Sequence, residues 1–326
     1  MNNKWQTYPL IGTQLNKVNQ CIQERITCSN RDLETALHTM ANNGGKYLRP
    51  AILLTMGQIC GQKTASDQLI KLAASIEILH MATLIHDDII DDSPQRRGAV
   101  SIQARFGKDT AVYAGDLLFT VFFNLLLEAV PGSKYLTINA HAMRQILNGE
   151  LGQMNQRFNT RQHLKDYLRD VNGKTAALFR LAAREGAYFA GAPASQVANA
   201  AKFGQNVGIA FQMLDDILDY TGGSQLNKPV MEDLATGVYS LPLLLALQMA
   251  KPAAQLQPLL AKRYQLTTAD MSRVQQIVVE AGAVNQSRQL AGQFTQKALD
   301  CLVRLPNNKS RRFLEKMTKQ LLKRTM

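Results

Sequence analysis

The chain has 326 residues, enough to bury a substantial core in one large domain or two modest ones. Hydrophobic residues make up 46% and charged residues 19%, a globular balance that excludes a disordered chain. Lys and Arg outnumber Asp and Glu by 37 to 25, a formal charge of +12, which points to polyanionic ligands, an anionic surface or a plainly solvated face.

Apolar residues recur with the 3.6-residue period through most of the chain, and alternating β-branched runs are scarce. The pattern predicts helices over Leu15–Cys28, Arg31–Ala41, Pro50–Ile59, Asp67–Asp92, Ser101–Phe106, Thr110–Glu128 and Leu136–Asn155. It continues with Leu164–Asn172, Thr175–Ala190, Ser195–Tyr220, Ser240–Met249, Ala253–Gln265, Thr268–Glu280, Ala283–Arg304 and Ser310–Thr325. Breakers such as Gly44-Gly45, Pro94, Pro131-Gly132 and Gly222-Gly223 punctuate these runs, and none forms a dividing linker. The expectation is a single all-α domain over residues 1–326.

The segment from Met1 to Gln20 mixes polar residues with Lys4, Trp5 and Lys17 and has no continuous apolar run, so it reads as neither signal peptide nor membrane span. Cys21, Cys28, Cys60 and Cys301 show no metal-ligand or disulfide spacing, which predicts a reduced, cytoplasmic setting. The last helix interleaves Arg311, Arg312, Lys316 and Lys319 with Phe313, Leu314 and Met317. It reads as an amphipathic helix packed on its own domain, with peripheral contact to a lipid surface as the alternative.

One pattern recurs. Leu84-Ile85-His86-Asp87-Asp88-Ile89-Ile90-Asp91-Asp92 and Phe211-Gln212-Met213-Leu214-Asp215-Asp216-Ile217-Leu218-Asp219 each set Asp-Asp-x-x-Asp on an apolar helix. Asp87 and Asp91 stand one turn apart on one face, as do Asp215 and Asp219. Carboxylates so placed repel, and Asp is a poor interior helix residue, so the arrangement is unfavourable unless a cation neutralises it. Magnesium fits: it takes oxygen ligands and is held by one or two carboxylates together with phosphates and water. The bland alternative, an acidic helix end before Pro94, puts negative charge at the wrong pole of the helix dipole. Two such motifs in one chain point to magnesium bridging a diphosphate.

A diphosphate also needs cations. Arg96-Arg97-Gly98 follows the first motif, and planar guanidinium groups suit phosphate. Lys46 and Arg49 lie in Gly44-Gly45-Lys46-Tyr47-Leu48-Arg49-Pro50, whose glycines allow close backbone approach. His80 precedes Asp87 by two turns on the same face. Gly173-Lys174-Thr175 invites a nucleotide-loop reading, but that loop requires glycine where Leu168 stands. Lys174 and Thr175 remain as a cation and a hydroxyl donor. Singly, each of these groups reads as surface decoration; their weight comes from accompanying both acidic motifs.

In this order, from about Leu37 to Leu245, the residues resemble the trans-prenyl diphosphate synthases. The resemblance implies an isoprenoid synthase-like fold, one helical bundle around a deep apolar cavity with the two aspartate helices across its mouth. It implies a cluster of up to three magnesium ions ligated by Asp87, Asp91 and Asp215, with Asp88, Asp216 and Asp219 assisting. Arg96, Lys174, Thr175, Gln212 and Lys228 would hold the allylic diphosphate, and Lys46, Arg49, His80 and Arg97 that of isopentenyl diphosphate. One departure stands out: where the family commonly has Gly-Lys-x-Thr, this chain reads Gly237-Val238-Tyr239-Ser240, and Asn227 precedes Lys228 where glycine is usual.

In the same family, bulky residues four and five positions before the first aspartate stop chain growth. Here those positions hold Thr83 and Ala82. Small residues there imply a long product of roughly six to eight isoprene units, the kind used for quinone side chains, in an apolar tunnel. Phe119, Phe122 and Phe123 are the alternative floor that would shorten it to a farnesyl or geranylgeranyl product.

A class I terpene cyclase also ionises diphosphates on aspartate-rich helices, but has no need of the Lys46, Arg49 and His80 set. A non-catalytic helical subunit fits degraded aspartates, and both motifs here are intact. A nucleic-acid binder lacks any recognition signature beyond charge. The resemblance implies a homodimer, or a heteromer with a separate small subunit.

Overall fold

The apolar period becomes helix almost everywhere. In the computed structural model, which describes residues 9–44, 47–96, 98–222 and 231–322, the elements are α1 (Pro9–Arg25), α2 (Arg31–Gly44), α3 (Leu48–Ile59), α4 (Asp67–Ile90), β1 (Gln95–Arg96), β2 (Ala99–Val100), α5 (Ile102–Phe106), α6 (Lys108–Ala129) and α7 (Lys134–Asn155). They continue as α8 (Leu164–Val171), α9 (Ala177–Phe189), α10 (Ala194–Thr221), α11 (Glu232–Ala235), α12 (Leu241–Leu247), α13 (Ala250–Leu260), α14 (Thr268–Glu280), α15 (Ala283–Val303) and α16 (Lys309–Leu322). The all-α class holds, with one antiparallel two-residue hairpin among the described residues, pairing Gln95 with Val100 and Arg96 with Ala99.

Packing groups the chain into two compact units, one of Met1–Ala140, Leu181–Ala201 and Arg304–Leu314, the other of His141–Arg180, Lys202–Val303 and Glu315–Met326. In the first, α1 buries Ile11, Leu15, Val18 and Ile22, an i, i+4, i+7, i+11 stripe packed on α3 and α4. Fully burying each such side chain contributes roughly 1.5–3 kcal/mol. α4 packs along α6 and is buried on most of its circumference, so its hydrophobicity is not confined to a stripe. Ser66 caps it, accepting from the Leu69 N–H at 3.3 Å.

The second unit centres on Tyr167, Met213, Ile217, Tyr220, Leu241, Leu244, Val274 and Ile277. Along α10, Met213, Ile217 and Tyr220 form the buried stripe, and Asp216 lies on its margin with 3% exposure. Asp215 falls on the opposite, exposed side, and Gln212 and Asp219 lie between.

Element ends differ from expectation in instructive ways. α1 starts at Pro9, six residues earlier than predicted, because Ile11 continues the stripe and Pro suits a helix start. α4 ends at Ile90, with Asp92 left-handed at φ 51 turning the chain. The break predicted at Gly173-Lys174 is a π-helical turn, Asn172–Ala176, that carries α8 into α9 without interruption. In α16, Leu314 is fully buried and Phe313 and Met317 are half-buried, so this part of the apolar stripe packs on the protein itself. The predicted end of that helix beyond Leu322 lies outside the described residues.

Candidate active site

The first aspartate motif sits at the C-terminal end of α4. Asp87 is half-buried, and Asp91 closes the helix as its cap, its N–H on the Asp87 carbonyl at 2.9 Å. Asp88 is different: it is 2% exposed and receives the Arg96 guanidinium, Nε donating to Oδ1 at 2.7 Å and Nη2 to the same oxygen. Burial works against the Arg96 charge, and the hydrogen bond to Asp88, with the charges of Asp88, Asp87 and Asp91, outweighs it and raises the Arg96 pKa. Arg96 is held there by the hairpin and by a tied-down turn. The Ser93 carbonyl accepts from Ser101 Oγ at 2.7 Å and Gln103 Nε2 at 2.8 Å, and the Ser93 N–H donates to the Asp88 carbonyl.

Arg49 is half-buried in the first turn of α3. Tyr47, just before it, is left-handed at φ 46 and buried; its hydroxyl donates to the Ala41 carbonyl at 3.0 Å and accepts from Asn19 Nδ2 at 2.7 Å. Ala82 is fully buried, and Thr83 turns its hydroxyl onto the His80 carbonyl at 2.9 Å. His86 stacks on Phe119 with centroids 5.3 Å apart and sets Nε2 3.4 Å from Asp116. Phe122 is buried and Phe123 exposed on α6.

In the second unit a continuous hydrogen-bonded set takes shape. Thr175 Oγ1 donates to Gln212 Oε1 at 2.7 Å, and Gln212 Nε2 donates to Asp216 Oδ1 at 3.0 Å. Asp216 Oδ2 accepts from the Tyr167 hydroxyl at 2.7 Å and from the Leu241 N–H at 3.1 Å. Burial pushes the Asp216 carboxyl up, and the Gln212, Tyr167 and Leu241 donors with the Lys174 charge pull it back. Lys174 Nζ lies 2.9 Å from Glu150 Oε2 and donates to Gln153 Oε1 at 3.0 Å. Lys174, Gln212, Asp216, Asp233 and Val238 line one small cleft of about 60 Å³.

Asp219 accepts from the Glu232 N–H at 3.3 Å. Burial pushes its carboxyl up to about 6, against the pull of the Glu232 and Met231 N–H groups. Its Oδ2 is buried with no hydrogen-bond donor among the described residues. Paired with exposed Asp215 one turn away, that orphaned oxygen is a donor of the kind a hard cation takes. Among the described residues no group of three His, Cys, Asp or Glu side chains converges, and magnesium characteristically needs only one or two carboxylates plus phosphate and water.

Lys174, Thr175, Gln212 and Asp216 are therefore brought together, and Arg96 lies on Asp88. Lys46, Arg97 and Lys228 lie outside the described residues. Glu150, Gln153 and Tyr167 are the partners that motif reading misses.

The chain belongs to the polyprenyl synthetase family, whose model matches residues 30–280. It is 34% identical over 292 residues to heptaprenyl diphosphate synthase component 2 of Geobacillus stearothermophilus, covering 89% of each chain. It is 36% identical to an all-trans-nonaprenyl-diphosphate synthase of Rhodobacter capsulatus, covering 86% of each. The crystal structure of geranylgeranyl pyrophosphate synthase from Lactobacillus brevis superposes with a TM-score of 0.93 at 39% identity, covering 99% of this chain and 100% of that one. The chain is thus a trans-prenyltransferase, a polyprenyl diphosphate synthase that joins isopentenyl diphosphate head-to-tail to an allylic prenyl diphosphate.

Proposed function

We propose that the chain makes a long all-trans polyprenyl diphosphate and that each aspartate motif serves diphosphate binding. The observation that carries the site assignment is the hydrogen-bonded run Thr175–Gln212–Asp216, with Lys174 lining the same cleft as Gln212 and Asp216. Asp87, Asp91, Asp215 and Asp219 would hold magnesium, which when bound neutralises charge developing on a leaving diphosphate. Lys174 presents its ammonium to the allylic diphosphate, with Arg96 and Lys228 adding charge. Asp216 fixes the Gln212 amide, which in turn fixes the Thr175 hydroxyl. Lys46, Arg49, His80 and Arg97 seat isopentenyl diphosphate.

Ionisation breaks the allylic C–O bond, and the electron pair leaves with the pyrophosphate. The isopentenyl double bond attacks the cation, and the proton lost passes to the departing pyrophosphate. Alignment of two bound substrates and exclusion of water supply much of the remaining rate. We propose that residues 1–326 make up one synthase domain.

Product length rests on Ala82 and Thr83, the one small and fully buried, the other with its hydroxyl engaged within α4. The heptaprenyl and nonaprenyl relatives support the same reading. The similarity to the Lactobacillus enzyme supports a geranylgeranyl product as the second reading. Chromatography of the products from farnesyl and isopentenyl diphosphates separates them. A ladder ending at long chains is expected, and a terminal farnesyl or geranylgeranyl species overturns the long-chain reading.

We further propose assembly, as a homodimer or with a small second subunit. α6 is long and apolar enough to cross a membrane, yet only 44% of its apolar window is buried. It exposes Val112, Tyr113, Phe123 and Leu127. A relative named as a component supports the heteromeric form. Condensation by the purified chain alone, with its mass in solution, separates the two. The apolar product also makes peripheral membrane contact from the cytoplasm the working localisation.

A further inference from the structure

Lys174 does not stand alone in its cleft, and the reason begins with two glycines. α7 crosses the π-helical turn so closely that a Cβ on Gly149 would lie 2.2 Å from the Lys174 backbone nitrogen. On the facing strand of chain, a Cβ on Gly173 would lie 2.6 Å from the Gln145 carbonyl oxygen and 2.9 Å from Gly149 Cα. Backbone contact at this point delivers the side chains one and four residues further along α7, Glu150 and Gln153, to the Lys174 ammonium at 2.9 and 3.0 Å. The side chains of Lys174 and Glu150 are 28% and 21% exposed, so their pairing is shielded more than a surface ion pair.

We infer that Glu150 is a positioning residue that competes with diphosphate for the Lys174 ammonium and so sets how tightly the site retains pyrophosphate. The inference rests on the proposal above that Lys174 binds diphosphate. A carboxylate in hydrogen-bond contact with the ammonium lowers the positive potential offered to an incoming anion. It also gives the ammonium a partner to return to when pyrophosphate leaves, so the cation never sits uncompensated in a half-buried cleft. Gln153 supplies a neutral acceptor that holds the same geometry without that competition.

The sign of the effect follows. Glu150→Gln keeps shape and an acceptor oxygen but removes the competing charge. Inhibition by inorganic pyrophosphate tightens, and KM for the allylic substrate falls, each by about three- to tenfold, the scale of a partly screened charge pair. KM for isopentenyl diphosphate stays put, and the melting temperature falls only slightly, as for a partly exposed ion pair. A residue that merely braced α7 against the π-helical turn would lower stability and kcat and leave this split unmoved.

The experiment measures pyrophosphate inhibition in the wild type, Glu150→Gln, Lys174→Met and the double variant, with thermal melting of each. Support requires that Lys174→Met weakens inhibition, that Glu150→Gln tightens it, and that the Glu150 effect disappears in the Lys174→Met background. Weakened or unchanged inhibition in Glu150→Gln overturns the inference while leaving the Lys174 assignment standing. The same tightening in both backgrounds overturns it too, since Lys174 would not be the mediator. If Lys174→Met changes nothing, the diphosphate assignment fails and the inference with it.

Discussion

The phenolic oxygen of Tyr167 lies 2.7 Å from the Asp216 carboxylate, and both groups are buried. Tyr167 therefore anchors the far end of the chain that runs through Gln212 to Thr175. Tyr167→Phe removes one donor and leaves Asp216 Oδ2 with the Leu241 N–H. The expected loss of stability is about 1–3 kcal/mol, read by thermal or denaturant unfolding. The Asp216 carboxyl rises further, because a hydrogen bond to its charged form is gone. A looser Gln212 amide should raise KM for the allylic substrate before it affects isopentenyl diphosphate. Equal change in both constants would count against an anchoring role.

The aspartates within each motif should separate by burial. Asp215 is exposed and Asp87 half-buried, so Asp87→Ala and Asp215→Ala leave melting nearly unchanged. Their turnover falls by about a thousandfold or more, because each removes an oxygen from the proposed metal site. Asp88→Asn behaves differently. It strips Arg96 of its anion in a mostly buried setting and costs about 1–3 kcal/mol of stability. Near-normal turnover in both alanine variants sinks the site assignment.

Glu185 predicts how stability changes with pH. It is fully buried, accepts from Asn139 Nδ2 at 2.6 Å, and has its second oxygen, Oε2, without a hydrogen-bond partner among the described residues. Burial pushes its carboxyl up to about 8 from an ordinary 4.5, against the Asn139 hydrogen bond and the Arg184 charge. Below 4.5 both folded and unfolded states are protonated, and the contribution to stability is complete. Between 4.5 and about 8 only the unfolded state releases the proton, so stability declines as pH rises and levels off above about 8. Unfolding at a series of pH values should show that slope, and Glu185→Gln should flatten it.

Much of this was legible beforehand, for physical reasons. The aspartate pairs announce themselves because carboxylates one turn apart on an apolar helix are costly without a cation. The split roles within each motif follow from helical phase: Asp216 lies on the margin of the Met213, Ile217 and Tyr220 stripe, which puts it inside. The π-helical turn was not legible, because Gly173 reads as a helix breaker until its contact with Gly149 is seen. Glu150 and Gln153 stand on a different helix and take their role from that contact alone. Their one local signal was the glycine pair Gly149 and Gly152, whose spacing marks a close approach. Tyr167 reads from sequence as an ordinary core residue, and it is one that carries a polar end.

Val238 offers the last test. It stands where the family commonly carries lysine, and it lines the same cleft as Lys174, Gln212, Asp216 and Asp233. The chain next to it is fixed: Gly237 is left-handed at φ 83, its carbonyl accepts from the Phe158 N–H at 2.8 Å, and a Cβ there would strike the Phe158 ring. A side chain at position 238 therefore enters the cleft from a defined backbone. Val238→Lys adds an ammonium beside two carboxylates, which neutralise it, at a half-buried position where stability should move by no more than about 1 kcal/mol. With a second cation facing the diphosphate, inhibition by pyrophosphate should tighten by about tenfold or less, and kcat should drop if product release limits turnover. Steady-state kinetics with and without added pyrophosphate read both. Unchanged inhibition in Val238→Lys, alongside weakened inhibition in Lys174→Met, would show that position 238 does not face the diphosphate and that its valine is simply part of the wall.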